Sequence, residues 1–76
     1  MEPEKWVVVG KPNCIWCSKT MDTLDASGIP YAYLEAKTDL RDFLVLNDLH
    51  TVPQVWVNGF LIGGHEDVLK VLKEKQ

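Results

Sequence analysis

The chain has 76 residues, a formal net charge of −3 at pH 7 and a hydrophobic content of 46%, so it is a small acidic chain with enough apolar material to fold. It has no basic stripe to bind nucleic acid and no apolar run of membrane-span length. Its opening Met1-Glu2-Pro3-Glu4-Lys5 lacks the basic and apolar segments of an export signal, so one domain over residues 1–76 in a reducing, cytoplasmic setting is expected.

Lys5 to Val9 reads as a first strand, and its continuous apolar run suits a strand covered on both faces. Trp6 is expected to be partly buried there. Gly10-Lys11-Pro12-Asn13 ends the strand, with Asn13 as the expected N-cap of a helix from about Ile15 to Ser27. Gly28 supplies a left-handed C′ position, Ile29 its hydrophobic contact and Pro30 the stop. Tyr31 to Glu35 alternates and reads as a second strand, parallel to the first across a βαβ unit. Thr38 is the expected cap of a second helix with Asp39 in its first turn. Leu40, Phe43, Leu44 and Asn47 mark one face, and Val45, Leu46 and Leu49 broaden it. Gln54 to Val57 and Phe60 to Ile62 flank Asn58-Gly59, the strongest short signal for an antiparallel hairpin. Trp56 in that hairpin is expected to be partly buried. Gly63-Gly64 ends the hairpin. A last helix, about Glu66 to Lys73, is expected to turn Val68, Leu69 and Leu72 to the sheet, with Lys70, Lys73 and Lys75 toward its C-terminal end. The order β-α-β-α-β-β-α predicts an α/β fold: a four-stranded mixed sheet with helices on both faces.

Both cysteines lie in Cys14-Ile15-Trp16-Cys17, between the first strand and the first helix. A C-x-x-C pair in that context reads as a thioredoxin-like redox site. Amides and the dipole at a helix N-terminus stabilise negative charge, and the thiolate is the nucleophile of thiol–disulfide exchange. A second cysteine one turn further in can attack the mixed disulfide and release the product. Zinc is a poor alternative, because His50 and His65 lie too far apart to complete the usual ligand spacing. A purely structural disulfide here closes a tiny loop and constrains little of the unfolded chain.

At these residues the chain resembles a glutaredoxin. The resemblance rests on Lys11-Pro12-Asn13-Cys14-Ile15-Trp16-Cys17, Thr51-Val52-Pro53, the Asn58-Gly59 hairpin, and Gly63-Gly64-His65-Glu66-Asp67, in that order and covering nearly the whole chain. It implies a thioredoxin-like fold and glutathione-dependent reduction of disulfides and mixed disulfides, with Cys14 as nucleophile and Cys17 as resolving thiol. It implies a cis Pro53, which turns the Val52 N–H and C=O toward an extended peptide such as glutathione. Glutathione contacts are implied at Lys11, Trp16, Thr51, Val52, Pro53, Gly64, His65 and Asp67. Lys11 would pair with the glycine carboxylate, amides after Gly63-Gly64 with the γ-glutamyl carboxylate, and Asp67 with the γ-glutamyl ammonium. Trp16, where the family commonly has tyrosine, is expected to be exposed beside the site. His65 is read as a surface residue there rather than as a metal ligand or base. His50 stands where arginine is common.

The chain departs from the family at Ile15, where proline usually follows the first cysteine. In some members loss of that proline goes with a [2Fe–2S] cluster shared between two subunits through the first cysteine and glutathione, a role Cys14 would take. Such a carrier is one alternative, although no metal is expected in the main reading. Another is a redoxin recharged by thioredoxin reductase, but those typically lack G-G-x-x-D. The implied partners are glutathione and disulfide-bearing proteins, with ribonucleotide reductase as one client class, served by a monomer.

Overall fold

The computed structural model describes residues 4–74, so the expected contribution of Lys75 lies outside the described residues. The elements are β1 (Trp6–Gly10), α1 (Ile15–Ala26), β2 (Tyr31–Glu35), α2 (Thr38–Leu46), β3 (Gln54–Val57), β4 (Phe60–Gly63) and α3 (His65–Glu74). The mixed sheet has four strands in the order β2-β1-β3-β4. β1 runs parallel to β2, from Trp6 opposite Tyr31 to Gly10 opposite Glu35, and antiparallel to β3. β3 and β4 form the antiparallel hairpin, with Asn58 at φ 52° and Gly59 at φ 84° in its turn, the left-handed pair a two-residue hairpin needs. Asn58 also fixes the start of β1: its N–H donates to the Lys5 carbonyl at 2.8 Å, and its Oδ1 accepts from the Lys5 N–H at 2.9 Å.

α1 ends as the glycine predicted. Gly28 has φ 69°, its N–H donates to the Asp25 carbonyl at 3.1 Å, and the Ile29 N–H donates to the Leu24 carbonyl at 3.0 Å. α2 closes in the same way without glycine. Asp48 takes φ 60°, and the Leu49 N–H reaches the Leu44 carbonyl at 2.8 Å. Aspartate tolerates the left-handed region better than most residues.

The buried core joins Trp6 and Val8 of β1, Val55 of β3, Leu24 of α1 and Val68 of α3. These residues put α1 and α3 on one sheet face. Val9 is also buried and by strand alternation points to the other face; Leu44, the buried residue of α2, is likewise outside the first cluster. Three packing expectations need correction. Trp6 is almost fully buried rather than partly so, because β1 lies between two strands and the ring faces both core helices. Leu69 is 44% exposed, and Val71 packs on the core with Leu72 instead. Val68, Val71 and Leu72 make the i, i+3, i+4 stripe, from which Leu69 is rotated by one residue. Phe43 is 50% exposed although it stands at i+3 from Leu40, and Leu44 alone of the expected face of α2 is buried. Among the described residues, no helix is long and apolar enough to cross a membrane.

Candidate active site

Cys14 itself is the N-cap of α1. Its backbone is extended (φ −106°, ψ 110°), and its Sγ accepts the Cys17 N–H at 3.2 Å. Asn13, the expected cap, instead takes φ 58° and turns the chain into the helix. The sulfur therefore occupies the place a capping oxygen would take, in line with an unpaired helix amide and the positive end of the helix dipole. Cys14 is half-buried and Cys17 buried, and the two form a disulfide with Cα atoms 5.2 Å apart. The Val52–Pro53 bond is cis, as the resemblance implied, and the Val52 carbonyl oxygen lies 3.9 Å from Cys14 Sγ.

Two grooves flank this point. The first, about 710 Å³, is lined by Cys14, Lys11, Arg41 and His50, with apolar walls from Ala36, Leu44, Val45 and Leu49. The second, about 460 Å³, is lined by Pro53, Gly63, Gly64, His65, Glu66 and Asp67 among others. Trp16, Leu49, Thr51 and Val52 line both and form the ridge between them. The grooves differ in sign. Basic side chains and no carboxylate line the first, whereas Glu66 and Asp67 and no lysine or arginine line the second. His50 also bonds the Asp48 carboxylate at 2.7 Å, outside the groove lining. Among the ten residues expected at the site, only the buried Cys17 lines neither groove.

Two features hold the second groove in shape. Asp67 Oδ2 accepts the Gly64 N–H at 3.1 Å, the reciprocal capping bond of a helix start. Thr20, fully buried on α1, places its Oγ1 2.8 Å from the Trp16 carbonyl and 2.9 Å from His65 Nδ1. The single hydroxyl proton goes to the carbonyl, so Nδ1 carries a proton and donates to Oγ1. The His65 ring packs on Trp16 with centroids 5.5 Å apart, and Lys19 Nζ stands 4.6 Å from the indole centroid. Trp16 is 56% exposed, as expected, but it is held rather than loose. The sequence reading missed Thr20 and Arg41. Thr20 falls on the Cys17, Thr20, Leu24 stripe, whose buried spacing was its signal. Arg41, the one arginine of the chain, had none, because nothing local tells a solvated helix charge from one facing a groove.

The family model Glutaredoxin matches residues 6–62. The chain belongs to the glutaredoxin family. This glutaredoxin is accordingly a thiol–disulfide oxidoreductase by family and fold. It is 30% identical over 66 residues to a probable monothiol glutaredoxin of Legionella pneumophila, covering 83% of this chain and 74% of that protein. Unlike a monothiol site, this one has both Cys14 and Cys17. A buckwheat glutaredoxin solved as its glutathione complex is 27% identical with a TM-score of 0.78, over 95% of this chain and 71% of that one. The holo form of glutaredoxin C1 from Populus tremula x tremuloides is 28% identical with a TM-score of 0.79, over 92% and 68%.

Proposed function

We propose that this glutaredoxin uses glutathione as reductant for protein disulfides and glutathione mixed disulfides, in a cytoplasmic setting. The observation that carries the reading is the position of Cys14 Sγ beside Val52, at a ridge between a basic and an acidic groove. An extended zwitterionic tripeptide fits that polarity. Its glycine carboxylate faces Lys11 and Arg41, its backbone pairs with Val52, and its γ-glutamyl end faces Asp67 and the amides that open α3. The buckwheat relative, solved with glutathione, supports the same reading.

In the reduced protein, the Cys17 N–H and the α1 dipole stabilise the Cys14 thiolate. That thiolate attacks one sulfur of the substrate disulfide; the old S–S bond breaks and the leaving thiolate takes a proton. Cys17 thiolate then attacks Cys14 sulfur, forms the Cys14–Cys17 disulfide and expels the second substrate thiol. A glutathione thiolate resolves a glutathione mixed disulfide directly, leaving oxidised glutathione and free Cys14. Among the described residues, no group of three or more His, Cys, Asp or Glu side chains converges.

The test is turnover of a glutathione mixed disulfide coupled through glutathione reductase, with thioredoxin reductase in parallel. Activity with glutathione alone, lost in Cys14→Ser, is expected. Activity only with thioredoxin reductase would overturn the glutathione reading and reduce Lys11, Arg41 and Asp67 to surface charges. Full activity in Cys14→Ser would overturn the assignment of the nucleophile.

A further inference from the structure

We propose that Gly10 is a positioning residue for Cys17, its missing side chain being the space in which the resolving sulfur sits. Gly10 ends β1 and is buried, and it is not among the left-handed glycines Gly28, Gly59 and Gly63. Its lack of a side chain therefore answers no backbone demand. A Cβ built on it would lie 2.9 Å from Cys17 Sγ, 3.2 Å from Cys17 Cβ and 3.1 Å from Tyr33 Cε1. Ordinary nonbonded carbon contacts lie near 3.5–4.0 Å. Tyr33 pairs with Val8 two residues earlier on β1, so its ring leans along the same sheet face over the bare Cα of Gly10. Cys17 is 1% exposed and has no open side to move toward as a whole residue.

The consequence differs between redox states. In the disulfide, the bond to Cys14 fixes Cys17 Sγ against Gly10. In the dithiol no bond holds that sulfur in place, and rotation about χ1 is the one freedom left to it. A methyl group at position 10 opposes the disulfide more than the dithiol. It also opposes the resolving step, in which Cys17 sulfur bonds Cys14 sulfur while the Cys14–substrate S–S bond breaks and the substrate leaves as thiolate. The kinetic part rests on the resolving role proposed above for Cys17; the equilibrium part does not, and needs no glutathione.

The experiment equilibrates Gly10→Ala and the unaltered chain in mixtures of reduced and oxidised dithiothreitol, then counts free thiols by alkylation and mass. The equilibrium constant for forming the Cys14–Cys17 disulfide should fall about tenfold, equivalent to about 1.4 kcal/mol. Release of a protein thiol from its mixed disulfide with Cys14 should slow by a similar factor, with glutathione mixed-disulfide turnover falling far less. An equilibrium constant within about twofold of the unaltered chain overturns the proposal. An unchanged release rate with a shifted constant refutes the resolving role alone and leaves the packing relation standing. If Gly10→Ala does not fold, the double variant Gly10→Ala/Cys17→Ala should regain cooperative unfolding. A double variant that stays unfolded would put the requirement on Tyr33 or the strand end, and would overturn the proposal.

Discussion

Thr20→Val removes one oxygen from a fully buried place and keeps the side-chain shape. That oxygen joins α1 to α3, through the Trp16 carbonyl at 2.8 Å and His65 Nδ1 at 2.9 Å. Each such bond contributes about 0.5–1.5 kcal/mol net, and stranding a donor costs about 1–3 kcal/mol. His65 is only half-buried, so its freed Nδ1–H turns partly to water and recovers some of that loss. A net destabilisation of about 1–2 kcal/mol is expected. With a urea slope of about 1 kcal/mol/M for a chain this small, the midpoint should fall by about 1–2 M. A double-mutant cycle with His65→Ala apportions the effect, and should give a coupling of about 1 kcal/mol. The reasoning is refuted by a midpoint lowered by less than about 0.5 M, or by losses that simply add.

Other outcomes follow from the same geometry. Lys11→Gln should raise KM for a glutathione mixed disulfide about fivefold at low salt, with a smaller effect at high salt, since an exposed ion pair contributes up to about 1 kcal/mol and is screened; a salt-independent change would point to packing instead. Leu24→Ala, in the fully buried centre of the core, should cost about 2–5 kcal/mol by denaturant unfolding and leave little folded protein in so small a domain. Tyr31 titrates above the usual tyrosine value, first because its phenol is partly buried and then because Asp25 and Asp22 stand nearby. The folded state thus holds that proton more tightly, a stabilising contribution present below the unfolded value and lost as pH rises through the folded one. Ultraviolet tyrosinate absorbance should show a late titration step that Asp25→Asn moves earlier.

What the sequence made legible was what short-range chemistry decides. Gly28 and Asn58-Gly59 marked their turns because left-handed backbone is demanded there, and the hairpin followed. The α1 cap was misplaced by one residue, because Asn13 is equally at home in a left-handed turn and a sulfur is an unusual capping atom. Thr38 was misjudged in the same way: it lies inside α2, at φ 47°, with Lys37 as the extended N-cap and no side-chain cap bond. Trp6 and Leu69 were misassigned because burial depends on which strand is central and how a helix is rotated, and both are settled by partners far along the chain. The site residues near Cys14 were legible through the motif that contains them. Gly10 and Arg41 were not, since their significance comes from Cys17 packed against one and from a groove beside the other.

The bond from the Gly64 N–H to Asp67 has one more effect. A free aspartate samples several rotamers, and a ligand that needs one of them must freeze the rest out, losing affinity through the lost side-chain entropy. Here the start of α3 has already selected the rotamer, so the ammonium of the proposed glutathione ligand would meet a carboxylate in a fixed orientation. Asp67→Ala would mix two losses, a frayed helix and a missing charge. Asp67→Asn keeps an oxygen to accept the Gly64 N–H and removes the charge alone, so its loss against the unaltered chain measures the charge, and the further loss in Asp67→Ala measures the preorganisation.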